Sequence, residues 1–181
     1  MPPNPTQLLK RLPAPLRWLL PPVVLTAVVA LVVASGGAPG WQPPTAAPTP
    51  DARVAAACRS LAAALPDQLL GHPREAAGSS PYVAVWHSSP RTVLRCGVPR
   101  PAALDGSHDL GPETHGVQWF VEHDGHGGYR FTTSQLSLYV EVAVPAGAYP
   151  NAPDPLVDLS GPIAATVPGL DGRVGEASQG S

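Results

Sequence analysis

Three side chains that could ligate a metal ion are concentrated in one segment of the chain. His123, Asp124 and His126 lie within four residues, and zinc accepts imidazole and carboxylate ligands. A zinc site needs three or four such groups converging at about 2.0–2.2 Å. The glycine-rich turn Asp124–Gly128 does not impose that convergence. We therefore expect polar, solvated loop residues here, with no bound metal and no other cofactor.

The loop histidines also raise the question of hydrolytic chemistry. His108 and His115 precede the turn that holds His123 and His126, so one hypothesis is a cell-envelope hydrolase that uses loop His and Asp residues. Against it, the chain has no G-x-S-x-G, no H-E-x-x-H, no phosphate-binding loop and no dinucleotide fingerprint. The sequence therefore favours a protein without catalytic activity and assigns no catalytic residue.

The two cysteines, Cys58 and Cys96, are the other reactive groups of the chain. In a small exported domain an even number of cysteines predicts a disulfide, and two cysteines permit a single intramolecular pairing. The two cysteines are 38 positions apart, and closing a loop of that length stabilises a fold by roughly 4 kcal/mol on chain-entropy grounds. The alternative is a reactive thiol, whose pKa Arg95 would lower from the position next to Cys96.

A helix and a strand must position these cysteines. Val54, Cys58, Leu61 and Leu65 recur at spacings of 4, 3 and 4, which places them on one apolar stripe of a helix ending near Leu65. Thr49-Pro50-Asp51 is a helix-start pattern with a capping hydroxyl and proline at the first helical position. We expect this helix to cover a sheet that contains Cys96.

Alternation of polar and apolar residues predicts the strands of that sheet. The predicted strands are Tyr82–His87, Thr92–Val98, Gly116–His123, Tyr129–Thr133 and Leu136–Val144. A closing helix is expected from Asp154 to Val167, with a possible break at Gly161-Pro162. The fold class is therefore α+β, with a small, mostly antiparallel sheet covered by an N-terminal helix, over residues 51–168. The Gly-rich, polar tail 169–181 is expected to be disordered.

The N-terminal region predicts export. Residues 18–35 are apolar and uncharged, and as a helix they would be about 27 Å long, close to the thickness of the hydrocarbon core. All positive charges of this region precede the apolar run, so residues 1–17 are expected in the cytoplasm and the C-terminal bulk outside a single-pass anchor. A cleaved signal peptide is the alternative. Residues 36–50, rich in proline, are expected to be a spacer reaching roughly 45 Å.

Charge excludes one class of partner. The whole chain has a formal net charge of −2, and from Asp51 onward it has 8 arginines, 13 acidic residues and no lysine. This negative balance argues against polyanionic partners such as nucleic acid or wall teichoic acids. The expected partners are the lipid bilayer, through residues 18–35, and an envelope protein or cell-wall component.

Several blocks of the exported region match one family pattern. The matching blocks are Arg95-Cys96-Gly97-Val98-Pro99, Arg130-Phe131-Thr132-Thr133, Val140–Pro145, Leu156–Ser160 and Ala164–Pro168. In these blocks the chain resembles the domain-of-unknown-function family 3515, small membrane proteins of high-GC Gram-positive bacteria with an Arg-Cys-Gly motif. The resemblance implies an N-terminal transmembrane segment followed by an exported domain. It carries over no catalytic residues, because the family has no established activity.

Two arginines in these blocks are candidate ligand contacts. Arg95 projects from the strand face opposite Cys96, so it either pairs with a carboxylate such as Glu141 on a neighbouring strand or contacts a ligand anion. Arg130 is either a strand-pairing residue or part of a polar rim. The leading function hypothesis is a non-catalytic binding or interaction module of the cell envelope. The alternatives are the hydrolase above and a structural envelope-biogenesis factor.

Overall fold

A computed structural model describes residues 41–76, 80–105 and 110–170 of the 181-residue chain. The predicted cytoplasmic segment 1–17, membrane segment 18–35 and most of the predicted tail lie outside these ranges. Within them, neither helix combines the length and the apolar character that crossing a bilayer requires. The part that the structure describes is an α+β fold with antiparallel sheets and two helices.

Helix α1, Ala52–Ala64, begins at an aspartate. Asp51 is the N-cap, and its Oδ1 accepts a hydrogen bond from the Val54 amide at 2.9 Å. The predicted start, with Thr49 as the cap, is therefore two residues early, because the Asp51 side chain is the one that satisfies a free helical N–H. Ala55, Cys58 and Leu61 are buried on one side of the helix.

The main sheet has six antiparallel strands in the order β3-β4-β8-β7-β6-β5. These strands are β3 (Val83–Trp86), β4 (Thr92–Val98), β5 (Leu110–Thr114), β6 (Val117–His123), β7 (Tyr129–Thr133) and β8 (Tyr139–Val144). A separate two-stranded sheet pairs β1 (Gln68–Leu69) with β2 (His72–Pro73). The hairpin predicted over residues 82–98 is present as β3–β4.

The small sheet of β1 and β2 was not predicted, and two strands of the main sheet differ from the prediction. Strand β5 lies in a segment that was predicted as loop, because its Gly111 and Pro112 are poor strand formers. Proline is tolerated there since β5 is at the edge of the sheet. Strand β8 begins at Tyr139 rather than Leu136, which makes only an isolated bridge to Gly169.

The inner face of the sheet is covered by both helices. Helix α1 contacts β4, and helix α2, Asp154–Thr166, contacts α1, β5 and β6. Helix α2 continues through Pro162 without the break that the sequence suggested. The prediction of a cover by the N-terminal helix was therefore incomplete. Trp119 on the inner face is fully buried, and its Nε1 donates to Ser160 of α2 at 3.1 Å.

The outer face of the sheet is covered by residues 41–50, here called the strap. The Gln42 side chain accepts a hydrogen bond from the Arg91 amide at 3.0 Å, and the Pro43 carbonyl accepts one from Arg91 Nη2 at 3.1 Å. Trp41 stacks on His126 with ring centroids 4.5 Å apart. The structure thus differs from the predicted spacer over residues 36–50, since its last ten residues pack on the domain.

Candidate functional site

The Arg95-Cys96-Gly97 motif contacts three different parts of the fold. Alternation along β4 directs Cys96 to the inner face, where it forms the predicted disulfide with Cys58 of α1 across a Cα–Cα distance of 5.6 Å. Gly97 forms a bulge with φ of +83°. A Cβ there would lie 3.0 Å from Pro50 Cβ, so glycine allows the strap to approach the sheet.

Arg95 extends to the outer face and binds Glu141. The two residues are directly opposite each other on β4 and β8. Both Nε and Nη2 of Arg95 donate to Oε1 of Glu141, at 3.0 and 2.7 Å. Only 22% of the Arg95 side chain and 11% of the Glu141 side chain are exposed. This is a short, charge-assisted pair, the structural pairing that the sequence offered as one alternative for Arg95.

Arg130 forms a much looser pair on the same face. It lies directly opposite Glu122 on the β6–β7 hairpin, and its Nη2 is 3.4 Å from Glu122 Oε1. The Arg130 side chain is 40% exposed, yet its Nε is buried and has no hydrogen-bond partner among the described residues. Burying an unsatisfied donor costs about 1–3 kcal/mol. The guanidinium of Arg130 therefore retains hydrogen-bonding capacity that its neighbours do not use.

These two pairs line an open cavity of about 370 Å³, here called the outer-face pocket. Thr132, which is directly opposite Glu141, adds a hydroxyl to the lining. Residues 46–48 of the strap form one wall, and residues of the segment 98–102 form another. The pocket thus combines two arginines and two glutamates with mostly small or proline side chains around them.

A third arginine beside the pocket is already engaged. Arg100 donates to the Tyr139 hydroxyl and to Oδ1 of Asp105. The hydrogen bond to Tyr139, followed by that to Asp105, raises the pKa of the Arg100 guanidinium above its ordinary value. Arg100 does not line the outer-face pocket, so Arg95 and Arg130 supply its positive charge.

The three residues considered for a metal site instead stabilise a turn. Asp124 Oδ1 accepts hydrogen bonds from the amides of His126, at 2.7 Å, and Gly128, at 2.8 Å. The ring of His123 packs against Tyr129, and the ring of His126 stacks on Trp41. Across the described ranges, no group of three or more His, Cys, Asp or Glu side chains is arranged to hold a metal ion.

The loop histidines do not form one catalytic cluster in the part of the chain that is described. His115 lies in the β5–β6 turn, whereas His123 and His126 lie at the other end of β6. Strand β6 has seven residues, so its ends are roughly 20 Å apart at about 3.3 Å per residue. His108 falls outside the described residues.

A larger cavity, of about 690 Å³, lies between α1 and β3. Its lining is largely apolar and includes Leu61, Leu65 and Val83. Two arginines line it. Arg74 donates to the carbonyls of Ala62 and Leu65 at the C-terminal end of α1, and Arg91 Nη2 donates to the Pro43 carbonyl of the strap at 3.1 Å. Because both guanidinium groups hold parts of the fold together, whereas the ionic contact of Arg130 is long, the outer-face pocket is the better candidate site.

Glu122, Thr132 and the strap were not identified from the sequence. A signal for Glu122 existed: if Asp124–Gly128 is the turn of a hairpin, Glu122 falls opposite Arg130, and opposite charges often occupy such pairs. The same counting of residues across the β7–β8 pair places Thr132 opposite Glu141. The strap gave no such signal, because its packing depends on the finished sheet surface.

The comparisons with known proteins agree with the resemblance seen in the sequence. A family model described as a protein of unknown function (DUF3515) matches residues 19–171. No curated protein and no solved structure matches the chain. The matched range includes the strap, the outer-face pocket, the disulfide and both helices. This chain therefore belongs to the DUF3515 family.

Proposed function

We propose that this protein is a membrane-anchored, exported module that binds an envelope protein or cell-wall component without catalysing a reaction. In this proposal residues 18–35 form the single-pass anchor, with the N-terminus in the cytoplasm. The outer-face pocket is the binding site. The Cys58–Cys96 disulfide supports export, because disulfides persist mainly in oxidising compartments.

The observation that carries the proposal is the contrast between two ion pairs on one sheet face. Arg95 and Glu141 make two short hydrogen bonds and are largely buried, as a structural pair does. Arg130 and Glu122 touch through a single 3.4 Å contact and are more exposed. Binding sites place a few polar groups with free hydrogen-bonding capacity in a concave surface. The Arg130 pair meets that description and the Arg95 pair does not.

The make-up of the pocket favours binding over catalysis. Its lining contains neither His nor Cys nor Ser, so a Ser–His or Cys–His pair of nucleophile and base does not occur within it. Of the loop histidines considered for catalysis, His115 lies at one end of β6, and His123 and His126 lie at the other. We therefore assign the pocket the role of recognising a polar partner.

Site-specific photo-crosslinking in intact cells tests this function. A photo-crosslinking amino acid replaces Ala102, an exposed residue that lines the pocket, and in a control replaces Val157, which is 51% exposed on α2. We expect a discrete adduct from position 102 that is absent from position 157. The adduct should be lost in Arg130→Ala and retained in Arg59→Ala, a change of an exposed residue on α1. Failure to form an adduct at 102, or equal adducts from both positions, would overturn the proposal.

A further inference from the structure

We infer that the outer-face pocket recognises a zwitterionic group: an amino acid or short peptide that presents a free carboxylate and a free ammonium a few ångströms apart. This inference rests on the proposed function and specifies the ligand of that site. It assigns the carboxylate of the ligand to Arg130 and the ammonium to Glu122.

Arg130 supplies the donors for the carboxylate. A guanidinium offers five N–H groups in a planar arrangement that suits the two oxygens of a carboxylate. The one ionic contact that Arg130 makes is through Nη2, at 3.4 Å from Glu122 Oε1. The Arg130 side chain is 40% exposed, so a ligand carboxylate can reach the guanidinium without breaking a short hydrogen bond.

Glu122 supplies the acceptor for the ammonium. Its side chain is 23% exposed and lines the pocket. Since Glu122 and Arg130 are directly opposite each other on adjacent strands, their Cβ atoms are about 5 Å apart. Two side chains that project side by side at this separation match a ligand whose opposite charges are a few ångströms apart, as they are in an amino acid or a dipeptide.

The charge of the pocket disfavours a simple anion. Two arginines are balanced by Glu122 and Glu141, so a ligand with only negative charge would be repelled by the glutamates as it approached Arg130. A ligand with only positive charge would meet the converse repulsion from the arginines. A zwitterion keeps both pairs of charges compensated. The volume of about 370 Å³ is at the lower end of the range for small-molecule pockets, which suits a ligand of this size.

The test is a calorimetric titration of the full-length protein, purified in detergent, with four probes. Alanyl-alanine carries both charges, N-acetyl-alanyl-alanine only the carboxylate, alanyl-alanine amide only the ammonium, and inorganic phosphate is a compact anion. We expect alanyl-alanine to bind at least about tenfold more tightly than any of the other three probes, a difference of about 1.4 kcal/mol.

Charge-neutralising variants give a readout that a purely structural role would not. Arg130→Gln should abolish binding of alanyl-alanine, and Arg130→Lys should weaken it. Glu122→Gln should reduce the affinity for alanyl-alanine while increasing that for N-acetyl-alanyl-alanine, because it removes both the ammonium acceptor and the repulsion of the carboxylate. Arg59→Gln on α1 is the control and should leave all four affinities unchanged.

Three results would overturn the inference. Equal or tighter binding of N-acetyl-alanyl-alanine or phosphate to the unmodified chain would define a general anion site. Equal binding by the Glu122→Gln variant would remove Glu122 from recognition. Absence of binding by every probe, with Arg130-dependent crosslinking at position 102 retained, would reject the zwitterionic ligand and leave the proposed function standing.

Discussion

The consecutive β4 residues Arg95, Cys96 and Gly97 make three different contacts, and the sequence predicted two of them. Period-two alternation placed Arg95 and Cys96 on opposite faces and offered Glu141 as one of two alternatives for Arg95, and the structure shows that pair. The number of cysteines predicted the disulfide, which is also present. Gly97 forms a bulge, as glycine within a strand often does. Its neighbour, Pro50 of the strap, was not anticipated. Side-chain direction is local information, whereas the identity of a packing partner across the molecule is not.

The two glutamates of the outer-face pocket should differ in their contribution to stability. Glu141→Ala removes the acceptor of two short hydrogen bonds and leaves a mostly buried arginine unpaired, so we expect it to lower the free energy of unfolding by about 2 kcal/mol. Glu122→Ala removes one loose, partly exposed contact and should cost less than about 1 kcal/mol. Urea unfolding of both variants measures the difference, and equal losses would contradict it.

At the scale of elements, the sequence predicted the two helices and most strands because these have clear apolar periodicity. It did not predict β5, whose Gly111-Pro112 pair lacks strand propensity; the pairing with β6 decides its conformation. It also did not predict the strap, in which four prolines remove backbone donors. The strap contains no helix or strand and is held by side-chain and carbonyl contacts with Arg91 and His126. Periodicity does not encode such contacts.

Substitution of Gly97 should report on the contact between strap and sheet. Gly97→Ala strains a backbone with φ of +83° and places a Cβ 3.0 Å from Pro50 and 3.1 Å from Val54. Gly147→Ala is a matched control, because Gly147 has φ of +77° and nothing within 4 Å of its added Cβ. We expect Gly97→Ala to lower the thermal midpoint more than Gly147→Ala does, since both share the conformational cost and only the first displaces a neighbour.

A second prediction concerns the other end of the strap. The Arg91 amide donates to the Gln42 side chain at 3.0 Å. Gln42→Ala should therefore increase the hydrogen-exchange rate of the Arg91 amide, because loss of the acceptor exposes this N–H to water. Gln135→Ala, a change of another exposed glutamine, serves as the control. An unchanged exchange rate would show that the Gln42 side chain does not protect the Arg91 amide.

For the whole molecule, the sequence predicted the α+β class of the fold, which the structure shows. The proposal of export rests on the net charge, the cysteine pair and the apolar run preceded by basic residues. The structure adds a sheet with different covers on its two faces: two helices inside, and a strap outside. The arrangement of this outer cover depends on contacts between distant residues, such as Gln42 and Arg91, and so was not accessible from local pattern.

Export itself leads to a prediction for the protein in cells. Alkylation of intact cells, followed by denaturation and renewed alkylation without reductant, should label neither Cys58 nor Cys96, because both sulfurs are in the disulfide. A periplasm- or surface-active reporter at the C-terminus should be functional, and a cytosolic reporter should not. Labelling of both cysteines together with an active cytosolic reporter would refute both export and anchor orientation.

The strap also gives the domain a mechanical direction. Because residues 41–50 precede all other described elements and leave the sheet at Gly97 and Asp51, tension arriving from the N-terminal side loads the Trp41–His126 stack first. The contacts of the strap would then break one after another, whereas the disulfide between Cys58 and Cys96, which is covalent, would remain intact. In the proposed anchored protein, tension applied from the N-terminal side would therefore uncover the arginines and glutamates of the outer-face pocket while the helices and strands stay assembled, and the affinity for the proposed ligand would depend on force.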